Sequence, residues 1–138
     1  FIAAKNLTTI LMHNLAIHAN PELVINPYLN IHKEILNWAE KKISELEKKG
    51  VKKSQLIFDP GIGFAKDGVQ SLRILRNIDS YRVLGLPLYI GHSKKSFLDS
   101  LNIDGDRAQK TLEISKFLIK KKVEFLRVHY VESHRKLI

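Results

Sequence analysis

The sequence predicts an α/β fold with a parallel sheet covered by helices. Three observations carry this. Four short apolar runs alternate with four helical patterns. The runs are apolar throughout rather than alternating with polar residues, as expected for strands buried on both faces. The residue types suited to chemistry cluster just past the C-terminal ends of these runs, where open α/β sheets and (β/α)8 barrels place their sites. At 138 residues the chain has the length of one domain or of part of one.

The first predicted strand is Thr8-Thr9-Ile10-Leu11-Met12, ending at His13-Asn14. Asn26 as N-cap and Pro27 as first helical residue then open a long helix. Its apolar stripe is Ile31, Ile35, Trp38, Ala39, Ile43 and Leu46, and Gly50 stops it. Gln55 to Phe58 reads as the second strand, ended by Asp59-Pro60-Gly61. Asp67 is placed to cap a helix whose buried positions are expected at Val69, Leu72, Leu75 and Ile78. The third strand, Leu88-Tyr89-Ile90, follows Pro87 and stops at Gly91. A short helical turn starts near Ser96, and a longer helix after Asp106 carries Ala108, Leu112, Phe117 and Leu118. Val123 to Val128 is the fourth strand, and a last helix begins near Glu132. No repeat, low-complexity tract or linker interrupts the series.

Composition removes several function classes. With 44% hydrophobic and 27% charged residues, 7 Gly and 4 Pro, the chain can build a core and is neither collagen-like nor disordered. It has no Cys, which excludes disulfide scaffolds, thiolate zinc sites and cysteine nucleophiles and fits a reducing, cytoplasmic setting. No run approaches the ~18 apolar residues of a membrane span, and the opening residues lack a signal-peptide layout. The net charge of +9 draws anions in general. Much of the Lys is mixed with Glu on one helix, Glu40 to Lys49, and the pure run Lys120-Lys121-Lys122 falls at a helix end. Basic patches interleaved with aromatics are missing, so a nucleic-acid partner is not expected. His13 with His18, and His129 with His134, are five apart without a matching carboxylate pattern, so no protein-built zinc site is expected.

Asp59-Pro60-Gly61-Ile62-Gly63-Phe64 is the most informative stretch. A carboxylate at a strand end can accept paired N–H bonds from a flat ring bearing an amidine edge. Gly61 and Gly63 let the backbone come close, and Phe64 can wall a pocket. The plainer reading is an Asp-Pro-Gly turn into a helix. Gly91 to Ser96 sets two lysines and a serine at a helix start, suited to a carboxylate, phosphate or carbonyl oxygen, or simply a basic capped loop. It lacks the last Gly of a nucleophile elbow. Arg127 and His129 are two apart and so point to one side of a strand, where they can hold an anion. A lone Arg on a strand also serves in structural salt bridges.

The order and spacing of these stretches, with Leu11-Met12-His13-Asn14 upstream, resemble the dihydropteroate synthase family from about Thr9 to Ile138. The related methyltetrahydrofolate methyltransferase type is a more distant likeness. The resemblance implies a (β/α)8 TIM barrel that joins 6-hydroxymethyl-7,8-dihydropterin diphosphate to p-aminobenzoate, with Mg2+, bound mainly through the substrate diphosphate and the missing half, assisting the departing diphosphate. By that likeness, Asp59 binds the pterin's amino-pyrimidine edge and Lys95 hydrogen-bonds the pterin. Met12, Gly63 and Phe64 line its pocket, and Ser96 meets the p-aminobenzoate carboxylate. Arg127 stacks over the pterin and, with His129, grips the diphosphate.

Three departures from the family pattern stand out. Lys94 replaces the Arg of Ser-Arg-Lys-Ser, and Tyr130 replaces the Asp of Arg-Val-His-Asp. The third is length: a barrel needs ~250 residues, so the likeness makes residues 1–138 one partial domain, the C-terminal half holding strands five to eight. Such a half exposes two strand edges, and is expected to pair with itself as a homodimer or with a complementary N-terminal half. An inactive pterin-binding or assembly fragment is the non-enzyme alternative.

Overall fold

The computed structural model describes residues 1–17, 20 and 22–138; His18 of the histidine pairs lies outside them. The elements run α1 (Ile2–Lys5), β1 (Thr9–Met12), α2 (Ile31–Lys48), β2 (Leu56–Asp59), α3 (Gly68–Arg76), β3 (Tyr89–Ile90), α4 (Arg107–Lys120), β4 (Phe125–Leu126) and α5 (Val131–Arg135). Short 3-10 segments lie at Lys53–Gln55, Ile78–Leu84 and Ser96–Ser100.

All strand pairing is parallel and follows chain order. β1 pairs with β2 from Thr9 opposite Leu56 to Met12 opposite Asp59. A bridge between Phe58 and Leu88 joins β2 to the start of β3, and β3 pairs with β4 through Tyr89–Phe125 and Ile90–Leu126. Among the described residues β1 and β4 each have a strand neighbour on one side, so both outer edges of the arc are open. Helices pack against the strands. The core joins Ile35, Ala39 and Ile43 of α2 to Leu56, Phe58, Ile74, Tyr81, Leu88, Ile90 and Leu118. No helix among the described residues is long and apolar enough to cross a membrane.

Several elements differ from the sequence expectation, each for a local reason. The long helix starts at Ile31, not at Pro27. Asn26 Oδ1 is spent on the N–H of Tyr28, closing a turn, while Asn30 Oδ1 takes the N–H groups of His32 and Lys33. α3 is capped by Asp67 as expected, with Gln70 closing the reciprocal capping box. Its buried face is rotated: Val69 is exposed, whereas Gln70, Ser71, Ile74 and Leu75 are buried. Gln70 belongs inside because its amide donates to Ile25 O, 2.8 Å away. α4 likewise buries Thr111, Ile114, Ser115 and Leu118, while Ala108, Leu112 and Phe117 are half-buried. The fourth strand is two residues long because its entrance is taken by a side-chain knot. Glu124 accepts the N–H of Leu88 (2.9 Å) and an Arg82 guanidinium bond (3.1 Å), and Arg82 also donates to Lys121 O.

Candidate functional site

The strand ends bring together residues from three of the loops. At β2, Asp59 is buried and its Oδ1 accepts the Gly61 N–H at 2.8 Å. Gly61 and Gly63 both adopt left-handed φ (70° and 73°), and a Cβ on Gly61 would lie 2.0 Å from His13 O. Only glycine fits there. The loop thus folds back over the end of β1, where His13 N–H donates to Asp59 O at 2.9 Å.

The loop after β3 approaches from the other side. Lys95 reaches back to donate to Ile62 O, and its ammonium stands 4.4 Å from the centre of the Phe64 ring. Lys95 thereby closes the gap between the two glycine-bearing loops. Arg127 was expected near the end of the fourth strand and His129 just past it, but β4 ends at Leu126 and both lie on the loop that follows. The Arg127 N–H still donates to Ile90 O (2.9 Å), so the chain keeps its course beside β3. A cleft of about 370 Å³ is lined by Gly91, Ser93, Lys94, Lys95, Arg127 and His129, among others. A second cavity, about 280 Å³, is lined by Gly63, Phe64, Lys66 and Ser96 together with Leu23 and Val24. Lys95 and Ser96 are consecutive, so one short segment borders both spaces.

Met12 stands apart from these. Its backbone pairs with Asp59, but its side chain lines a separate hollow with Asn14, Leu15, Trp38 and Lys42.

The electrostatics are set by burial. Burial pushes the Asp59 carboxyl up, and the Gly61 N–H, Lys95, Lys66 and Arg127 pull it back towards the ionised form. Burial also lowers Lys95 to about 8, with Asp59 opposing. The arrangement is one carboxylate facing three cations, which suits a ligand carrying N–H donors at one end and negative charge at the other. It does not suit a divalent metal. Hard cations require several oxygen ligands, and no group of three metal-type ligands is assembled among the described residues. The Mg2+ that the resemblance implies is accordingly expected on the substrate diphosphate and the missing half rather than on these residues.

Two further positions at this site had no assigned role in the sequence reading. Ser93 is buried, and its hydroxyl lies 2.9 Å from His129 Nδ1 and accepts the His129 N–H at 3.3 Å. It sets the direction of that ring. Lys66 is only 7% exposed, although an isolated lysine after a loop reads as a surface residue. In addition, the two side chains that depart from the family pattern touch each other. Lys94 Nζ donates to Tyr130 Oη at 2.7 Å and sits 4.2 Å from the centre of its ring. A lysine–phenol contact ties together the two loops that bound the anion cleft.

The comparisons with known proteins agree with this geometry. The family model described as "Pterin binding enzyme" matches residues 1–129. The chain is 33% identical over 135 residues to the folate synthesis bifunctional protein of Chlamydia caviae, covering 96% of this chain and 30% of that protein. It is 35% identical over 134 residues to the dihydropteroate synthase of Clostridium beijerinckii, covering 94% and 47%. The crystal structure of dihydropteroate synthase from Anaplasma phagocytophilum with bound 6-hydroxymethylpterin-monophosphate superposes with a TM-score of 0.88 at 31% identity, over 99% of this chain and 55% of that one. The chain thus spans about half the length of the single-function relative and of the solved structure, and less of the bifunctional one. Its fold is the α/β arrangement of part of a TIM barrel, and the chain belongs to the pterin-binding enzyme family.

Proposed function

We propose that this chain is the C-terminal half of a dihydropteroate synthase barrel and carries the pterin and diphosphate side of its active site. The observation that carries this reading is the position of Lys95. It borders the anion cleft with Arg127 and His129 and also lies against Phe64 and Ile62 beside the Asp59 loop. One ligand can therefore meet a buried carboxylate and a cationic cleft at once, as a pterin with a diphosphate on its methylene requires.

In this reading Asp59 accepts the paired N–H groups of the amino-pyrimidine edge, and Gly63 and Phe64 line the ring pocket. Met12, at the neighbouring strand end, borders it when the barrel is complete. Arg127 stacks on the pterin. Arg127, His129 and Lys95 receive the charge that develops on the diphosphate as the methylene C–O bond breaks. The aniline nitrogen of p-aminobenzoate, neutral near pH 7, then bonds to the methylene carbon and loses a proton to solvent. Ser96, which lines the second cavity, meets the p-aminobenzoate carboxylate.

The open edges imply a partner. Ile10 of β1 and Phe125 of β4 are 43% and 44% exposed on those edges. The complementary half fits them better than a second copy, because two copies of a chain with net charge +9 repel, while the relatives supply about the missing length within one polypeptide. The test is calorimetric titration of 6-hydroxymethylpterin monophosphate into the chain. Binding that is lost in Lys95→Ala and weakened in Arg127→Ala is expected. Binding indifferent to both changes contradicts the reading.

A further inference from the structure

We propose that Lys66 is a positioning residue for the substrate site: its ammonium ties the loop after β2 to the end of β1, which fixes Phe64, and it stands behind Asp59 as the counter-charge that keeps that carboxylate an acceptor. The second part rests on the reading of Asp59 as the pterin acceptor.

The ammonium is held from two directions. Lys66 Nζ donates to Phe64 O at 2.8 Å and lies 2.9 Å from His13 Nδ1. His13 is 2% exposed, and burial, with Lys66 adding to it, pushes its imidazole down to about 3. The ring is therefore neutral, and its Nδ1 accepts from the ammonium. The bond to His13 spans 53 residues of sequence, and with the local bond to Phe64 O it locks a difficult backbone. Gly61, Gly63 and Ala65 all take left-handed φ, Ala65 at 52° without the freedom of glycine. Ala65 O is pinned in turn by the Ile25 N–H at 2.9 Å. Phe64 lies inside this locked loop, with Lys95 against its ring, and lines the cavity together with Ser96 and Lys66.

A lysine in the interior is costly, whereas a methionine would fill the same space without desolvating a charge. The ammonium is retained for its donors and its charge. The titratable and charged groups that face it are His13 just after β1, Asp59 from β2 and Lys95 from the loop after β3. Burial lowers Lys66 to about 7, with Asp59 holding it up and Lys95 pressing it down.

The experiment compares the wild-type chain with Lys66→Met and Lys66→Arg. NMR on 13C-labelled lysine reads the ring-current shift that Phe64 imposes on the Lys95 Cε protons, with no ligand present. Calorimetry follows 6-hydroxymethylpterin binding from pH 5 to 8. In Lys66→Met the ring-current shift is expected to collapse. The acid limb of binding is expected to move up by about one pH unit, a roughly tenfold weaker affinity on the acid side, and Lys66→Arg restores most of both. A Lys66→Met chain that keeps both the shift and the limb overturns the proposal. If the wild-type chain binds no pterin at any pH, the proposed function fails, and the ring-current comparison still decides whether Lys66 positions Phe64. If Lys66→Met does not fold, a titration of the unmodified chain decides instead. The Lys66 Cε, His13 and Phe64 resonances are expected to move together, and independent titration overturns the proposal.

Discussion

Gly61 and Gly63 share one backbone conformation but meet different neighbours, and alanine at each separates folding from binding. Both substitutions place an L-residue at a left-handed φ, which costs about 1 kcal/mol. At Gly63 the added methyl meets Lys95 Cδ at 3.1 Å, the stem of a flexible side chain that can move aside. At Gly61 it meets a main-chain carbonyl at 2.0 Å, His13 O, and that stretch is held in place by the His13 N–H bond to Asp59 O. Relief there requires a backbone shift of the kind that overpacking imposes, adding about 2 kcal/mol. With a urea slope of roughly 2 kcal/mol/M, the unfolding midpoint followed by circular dichroism falls by about 1.5 M for Gly61→Ala. For Gly63→Ala it falls by about 0.5 M, on the same slope. Pterin binding is expected to reverse the order per unit of stability lost, since the Gly63 methyl presses on the Lys95 stem whose ammonium reaches Phe64 and Ile62. Equal midpoint shifts for the two variants would refute the reasoning.

The contact between Lys94 and Tyr130 is expected to support the anion cleft. Tyr130→Ala should weaken inorganic diphosphate binding by about two- to fivefold, and Tyr130→Phe, which keeps the ring, by less; calorimetry reads both. His13 and His92 are buried and held neutral, His92 at about 4 and His13 at about 3 against an ordinary 6.5. The unfolded chain therefore binds more protons than the folded one below pH 6.5. Stability falls as pH drops from there towards 4, by up to roughly 1.4 kcal/mol per pH unit for each histidine, and equal urea midpoints at pH 7 and 5 would contradict this. Lys66, lowered from 10.5 to about 7, acts over a different window. Its unfolded form holds the proton longer, so its contribution rises between those values. Ile10→Asp and Phe125→Asp are expected to weaken association with a complementary half by roughly tenfold each with little change in circular dichroism; sedimentation velocity measures it.

Much of the frame was legible because it depends on neighbours in sequence. Asp67 and Asp106 cap their helices as their spacing to Gln70 and Gln109 requires, and the four strand ends carry the site motifs. The buried faces of α3 and α4 were legible only in part: Leu75, Ile78 and Leu118 are buried as expected, but polar side chains are used inside beside them. Gln70 satisfies Ile25 O, and Ser115 Oγ receives His92 Nε2 at 2.8 Å and lies 2.9 Å from His134 Nε2. Asn26 and Asn30 are equally good caps by type, and the turn at Tyr28 chooses between them. Lys66 and Ser93 escaped notice because their partners, His13 and His129, lie 53 and 36 residues away. The meeting of Lys94 with Tyr130 escaped for the same reason.

The central claim is that this chain holds the pterin and diphosphate side of a dihydropteroate synthase site and needs its other half to turn over. The most direct measurement is dihydropteroate formation from 6-hydroxymethyl-7,8-dihydropterin diphosphate and p-aminobenzoate. It is made on the chain alone, and on the chain co-purified with the first half of the Clostridium beijerinckii relative. The account predicts product when both halves are present and none when Lys95 of this chain is changed to Ala. No product from the paired halves, or product that survives Lys95→Ala, would contradict it.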